Sequence, residues 1–207
     1  MTHASSQESI SAVLSRLTEP TRGERISLNE AIVELGDRAY GLMLLTLALP
    51  MAVPISAIPG ISTIFGVPLI LISAQLMLGR PRPWLPAWLG EKSIARADLA
   101  GMLDKALPWL MRCERLVRPR LAPLIGPAAE RVVGAIAAFM AVIMALPIVL
   151  GNQPPAIAIA LFALALIERD GLFTILGVVT AILSVILVSA VLAAFAAAAW
   201  LAFTHLF

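Results

Sequence analysis

The chain has 207 residues, 60% of them hydrophobic and only 14% charged, with a formal net charge of +2 and a mean hydropathy of +0.93. A soluble domain would carry about a quarter charged residues, so an ordinary soluble fold is excluded, and without basic–aromatic interleaving so is a nucleic-acid surface. The single cysteine, Cys113, excludes an internal disulfide and a cysteine-based metal site, and the only histidines, His3 and His205, stand far apart in sequence with no neighbour at ligand spacing.

Residues 1–26 read as a polar N-terminal tail. Residues 1–37 lack the apolar core of a cleaved signal peptide, so the first apolar tract is expected to act as the insertion signal. Ser27-Leu28-Asn29-Glu30 is a capping box, in which the Ser hydroxyl and the Glu carboxylate each satisfy a backbone N–H the helix start would leave bare. The helix it opens places Leu28, Ile32 and Leu35 on one side and Glu30, Glu34 and Asp37 elsewhere, an amphipathic segment suited to the membrane surface.

From Tyr40 to Gly79 no residue is charged, and the same holds from Val132 to Ile167 and from Gly171 to Phe207. A charge at the bilayer centre costs at least about 2.5 kcal/mol, so three such tracts predict an integral, polytopic membrane protein of all-α class. The first tract is an arm of twelve residues, Arg38 to Leu49, about 18 Å long at helical rise and short of the roughly 30 Å of hydrocarbon. Pro50, Pro54 and Pro59-Gly60 then predict a break up to Ile61, followed by a return arm to Gly79 that Pro68 interrupts.

The stretch from Arg80 to Arg131 holds ten of the fifteen Lys and Arg residues. Leu99, Leu103, Leu107 and Leu110 recur at helical spacing, and Trp84, Trp88 and Trp109 suit the headgroup level. It reads as a basic amphipathic linker of one or two surface helices, placed in the cytoplasm with the N-terminus by its positive charge, and touching either anionic lipid or a partner. The second tract has its own break from Pro147 to Pro155, with Asn152 and Gln153 inside it, and ends at Glu168-Arg169-Asp170. The last tract has no proline and is either one long helix of roughly 50 Å or a pair of helices. The expected divisions are 1–26, 27–79 (amphipathic helix and first broken hairpin), 80–130 (linker), 131–170 (second broken hairpin) and 171–207.

The two hairpins resemble each other. Asp37-Arg38-Ala39-Tyr40-Gly41 matches Glu130-Arg131-Val132-Val133-Gly134, and each is followed by an apolar arm that closes on Ala-Leu-Pro, at Pro50 and at Pro147. Matching breaks in an internal repeat point to a transporter-like site in which irregular backbone, at least partly re-entrant, lines a cavity. The basic flanks favour parallel over inverted repeats.

The motifs Leu47-Ala48-Leu49-Pro50, Ile58-Pro59-Gly60-Ile61-Ser62, Ala74-Gln75-Leu76, Arg82-Pro83-Trp84-Leu85-Pro86, Gly151-Asn152, Pro154-Pro155-Ala156 and Glu168-Arg169-Asp170-Gly171 resemble the ExoD family of bacterial membrane proteins, over about residues 27 to 190. The resemblance implies a role in exopolysaccharide synthesis and an inner-membrane location. It implies no catalytic residues.

The candidate solute- or ion-binding residues are Ser56, Pro59, Gly60, Ser62 and Gln75 of the first hairpin and Asn152, Gln153 and Pro154 of the second. Gln75 is also a candidate for interhelical glue, and Asn152 and Gln153 for satisfying backbone that the prolines leave bare. The hairpin ends carry Asp37, Arg38, Arg80, Glu130, Arg131, Glu168, Arg169 and Asp170, expected to neutralise one another in pairs or, tucked inward, to relay protons or ions. No phosphate-binding Gly-rich loop with Lys, no Ser/His/Asp set and no metal cluster is present, so neither an enzyme nor a bound cofactor is expected. The leading expectation is a small transporter or translocator with its site near the midplane between the two breaks, working as a homodimer. The alternative is a non-transporting assembly or regulatory subunit that docks polysaccharide machinery through the basic linker.

Overall fold

The computed structural model describes residues 25–52, 61–86, 93–95, 126–146 and 152–206. These fall in two units, one formed by residues 1–39 with 81–118 and the other by residues 40–80 with 119–207.

In the first unit β1 (Arg25–Ser27) runs straight into α1 (Leu28–Leu35). The predicted capping box is formed: the Glu30 N–H donates to Ser27 Oγ at 3.2 Å, and the Ser27 N–H donates to Glu30 Oε2 at 3.1 Å. Gly36, at φ 54°, ends α1 in a conformation that L side chains rarely adopt, and a short 3-10 helix over Gly36–Arg38 follows. Ile32, on the predicted apolar face, is buried. Sequence periodicity does not predict strands here, yet β1 pairs antiparallel with β2 (Ser93–Ala95), Ile26 opposite Ile94. A three-residue pair is too short to show alternation, which is why the pattern misses it. The predicted leucine helix over Leu99–Leu110, Trp88, Trp109 and Cys113 lie outside the described residues.

The second unit contains five helices among the described residues: α2 (Ala39–Ala52), α3 (Ile61–Met77), α4 (Pro127–Ala145), α5 (Gln153–Glu168) and α6 (Gly171–Leu206). Pro50 does not end the first arm as predicted; α2 continues through it to Ala52. A proline costs the bond to the carbonyl one turn earlier, here that of Thr46, and leaves the chain beyond it free to finish the turn. Pro68 likewise sits inside α3. The final tract is a single helix of 36 residues, about 54 Å long.

Helix directions follow from close approaches. A Cβ on Gly134 of α4 would lie 2.5 Å from the Met77 nitrogen at the far end of α3, and one on Gly66 would lie 2.9 Å from Ala145 Cβ. The Thr63 hydroxyl donates to the Ala145 carbonyl at 3.3 Å. Hence α3 and α4 run antiparallel, with the start of α3 beside the end of α4. Gly41, at the start of α2, meets Ala163 and Ile167 near the end of α5. The α5 helix returns along α4 and packs against α6, where Gly177 faces the Phe162 ring. Both hairpins therefore run in the same sense, from a charged end to a break end and back. The core between them holds Leu44, Met51, Leu69, Ile72, Met140, Met144, Ile159 and Phe162, all but absent from the surface.

The outside of this bundle is as apolar as its inside. Leu49, Ile64, Val67, Phe139, Val142 and Ile157 are exposed, and α6 exposes apolar residues on every side from Leu192 to Phe203. A helix that is apolar all round needs a nonpolar surround, and where protein does not cover it lipid must. Pro127–Ala145 and Gly171–Thr204 are long and apolar enough to cross a membrane. This is the surface of a membrane-associated protein.

Candidate functional site

The break end of the bundle collects the starts of α3 and α5 and the ends of α2 and α4. Ser62, in the first turn of α3, is buried at 3% exposure, and Thr63 beside it ties α3 to the last carbonyl of α4. Asn152 precedes α5 as its N-cap and is also 3% exposed. Its side chain makes no capping bond, because its backbone is helical (φ −87°, ψ −21°) rather than extended as a capping residue requires. Its Oδ1 is buried without a hydrogen-bond partner. An uncompensated buried amide costs about 1–3 kcal/mol, so this is the polar group at the break end that a ligand or water would relieve. Gln153 and Pro154 are half-buried in the first turn of α5. Ser56, Pro59 and Gly60 lie outside the described residues. Two helix N-termini, with the partial positive charge of their dipoles, thus lie at the same end as Asn152, although Pro154 and Pro155 have no N–H and the Ala156 N–H already donates to the Asn152 main-chain carbonyl.

Gln75 lies at the other end of α3, buried at 4% exposure and engaged with a partner. The structure does not bring it together with Asn152; it serves its own end of the bundle. Close by in sequence, Ser73 is fully buried with an unpaired hydroxyl; no sequence signal marks it, because one Ser in an apolar helix is common.

Most of the charged residues predicted at the hairpin ends gather opposite the breaks. Gly79, at φ 70°, closes α3 in a turn where its own N–H donates to the Leu76 carbonyl and the Arg80 N–H to the Gln75 carbonyl. The Arg131 guanidinium lies directly over Gly79. Glu130 is half-buried in the first turn of α4, Glu168 closes α5, and Arg169 takes a left-handed turn at φ 50°. The sequence suggests an acid–Arg pair for Asp170. Asp170 is buried at 2% exposure, and its Oδ1 accepts the Leu172 N–H at 2.8 Å, capping α6. The helix N-terminus suits a buried carboxylate, because the donor is fixed and the dipole adds to it. Asp37 and Arg38 belong to the 3-10 helix of the first unit.

The family model described as "Exopolysaccharide synthesis, ExoD" matches residues 10–190. The chain belongs to the ExoD family. Protein ExoD of Rhizobium meliloti (strain 1021) is 39% identical over 171 residues, which cover 81% of this chain and 70% of that protein. An uncharacterized protein of Synechocystis sp. (strain ATCC 27184 / PCC 6803 / Kazusa) is 35% identical over 176 residues, 84% of this chain and 82% of its own. No solved structure matches the chain. Family membership implies a role in exopolysaccharide synthesis, as the sequence resemblance predicted. The matched residues take in both hairpins and end inside α6, just past Val188, where the helix leaves the bundle.

Proposed function

We propose that this ExoD-family chain is a polytopic inner-membrane translocator, with its N-terminus and linker in the cytoplasm, whose solute path passes the two hairpin breaks. The supporting observation is that the helix ends flanking the two breaks meet at one end of the bundle, beside the buried, unpaired side-chain oxygen of Asn152. The α2, α3, α4 and α5 helices have 14, 17, 19 and 16 residues, roughly 21 to 28 Å at helical rise. With the charged ends at one headgroup layer, α2, α3 and α5 end short of the far side of a roughly 30 Å core, while α4 comes close to it. The breaks then lie deeper than the midplane that the sequence suggested. Such re-entrant tips are tolerable where irregular backbone faces protein or water. One copy has few helices to enclose a path, so the working unit on this reading is a homodimer, and the chain moves a solute rather than transforming it.

The test combines accessibility with function. In a Cys113→Ser background, single cysteines at Ser62, Gln75 and Asn152 are exposed in intact cells to a membrane-impermeant thiol reagent. Exopolysaccharide output is measured for Asn152→Leu in a strain lacking its own family member. Labelling at Ser62 and Asn152, with output lost although protein level is normal, is the expected result. Silence at both positions together with full output from Asn152→Leu would remove the translocator reading. Loss of output on neutralising Arg112, Arg115, Arg118 and Arg120 would then favour the docking subunit.

A further inference from the structure

The break end holds a buried acceptor and few donors to meet it. Asn152 is 3% exposed, and its Oδ1 has no hydrogen-bond partner. The start of α5, which Asn152 precedes, is poor in donors. Two of the four N–H groups that a helix start leaves bare are missing, because Pro154 and Pro155 hold those positions. The next, of Ala156, donates to the Asn152 main-chain carbonyl at 3.3 Å. At the start of α3 the Thr63 hydroxyl donates to the Ala145 carbonyl.

Charge narrows the ligand further. No residue from Tyr40 to Gly79 or from Val132 to Ile167 is charged, so neither hairpin brings an ionised side chain to its break. Helix dipoles do not make up for this. Because α3 and α4 run antiparallel, the positive start of one lies beside the negative end of the other. An anion meets no cationic side chain of the hairpins and, at α5, few N–H groups; a cation meets no carboxylate. Either ion would leave water without a counter-charge, which costs far more than burying a dipole. What Oδ1 lacks is a donor, and a hydroxyl group supplies one without a charge.

We propose, resting on the translocator reading, that the break end takes an uncharged, hydroxyl-bearing solute, one of whose hydroxyls donates to Asn152 Oδ1. The end selects twice: for a donor, through the bare acceptor, and against charge of either sign, through the lack of any ionised group on the two hairpin tracts.

The full-length protein in neutral detergent is titrated with methyl glucoside, its fully O-methylated ether, glucuronate and glucosamine. One ring thus carries in turn hydroxyls, no donor, an added anion and an added cation. Amide exchange over residues 156–160 is read by mass spectrometry. The glucoside slows that exchange about threefold once it stands at about twice its Kd, and the other three bind at least about tenfold more weakly. Asn152→Leu, which removes the acceptor at similar volume, abolishes the effect while its circular dichroism is unchanged. Equal protection by the ether, tighter binding of either charged probe, or full protection in Asn152→Leu overturns the proposal. So does no protection by any probe, which would leave Oδ1 to a water alone. Flux is read separately, as release from proteoliposomes. Protection by the glucoside without its release keeps the binding chemistry and removes translocation; preferential release of glucuronate keeps translocation and removes the solute class. Should Asn152→Leu not fold, the four probes on the unaltered chain decide.

Discussion

Replacing Gly134 by valine probes the tightest helix crossing in the bundle. A Cβ there would stand 2.5 Å from the Met77 nitrogen, 2.9 Å from the Leu76 carbonyl carbon and 3.0 Å from Leu76 Cγ. The first two neighbours are backbone, so no rotamer change relieves them, and α3 and α4 must separate by about 0.9 Å to reach ordinary contact near 3.4 Å. Where lipid tails are as apolar as the core, helix association rests on packing, and a lost close approach is not offset by any hydrophobic term. Overpacking costs about 1–3 kcal/mol, and the γ-methyls of valine add to the clash. Helix propensity offsets only part of this, since valine gains a few tenths of a kcal/mol over glycine at most. The net expectation is a loss of about 2 kcal/mol, measured as the shift in reversible unfolding in mixed micelles. Gly126→Ser is the control: nothing lies within 4 Å of a Cβ at that position, which caps α4, and serine there is neutral or slightly stabilising. A Gly134→Val protein as stable as the control would mean that α3 and α4 do not cross where the structure puts them.

Two further outcomes follow from caps. Asp170→Ala removes the buried carboxylate that holds the Leu172 N–H and should cost about 1–2 kcal/mol in the same unfolding assay, with Asp170→Asn losing less because the amide oxygen still accepts; equal behaviour of the two would show that the cap contributes nothing. Ser27→Ala breaks the capping box of α1 and should raise amide exchange over residues 28–32 by about fivefold, near 1 kcal/mol of local stability, while exchange in α4 stays unchanged.

Much of this is legible in the sequence because it is local. The capping box at Ser27 and Glu30 needs four residues and no tertiary partner, and the uncharged tracts need only a count. Pro50 misleads because a proline limits the turn before it, not the residues after it. The strand pair Arg25–Ser27 with Ser93–Ala95 joins segments more than sixty residues apart and leaves no periodic mark. The capping role of Asp170 is not legible from its neighbours: the acid–Arg cluster suggests charge pairing, and only the start of α6 one residue later shows that Asp170 also caps a helix. The orphan groups of Tyr40, Ser73 and Asn152 are tertiary facts. Of these the sequence points only to Asn152, from its place between prolines. Gly41, Gly66, Gly134 and Gly177 likewise become informative only when the helix they touch is known.

The α6 helix sets a mechanical condition on the bundle. Beyond its first turn its buried residues, Gly177, Ala181, Ser184 and Val188, stop at the level where α5 begins, and the remaining turns stand free of the protein. A rod of about 54 Å cannot stand upright in a roughly 30 Å core, and even at a lean of about 40°, the upper end of the usual range, only some 26 residues fit in hydrocarbon. Counted from Gly171, the oil–water boundary then falls near Ala196, and Trp200 reaches the headgroup layer that indole prefers. Gly177 is seated on Phe162, so α5 packs against the part of α6 that lies within the bundle. A thicker bilayer would draw more of the free turns of α6 into hydrocarbon, and a thinner one would leave more of them in the headgroup layer.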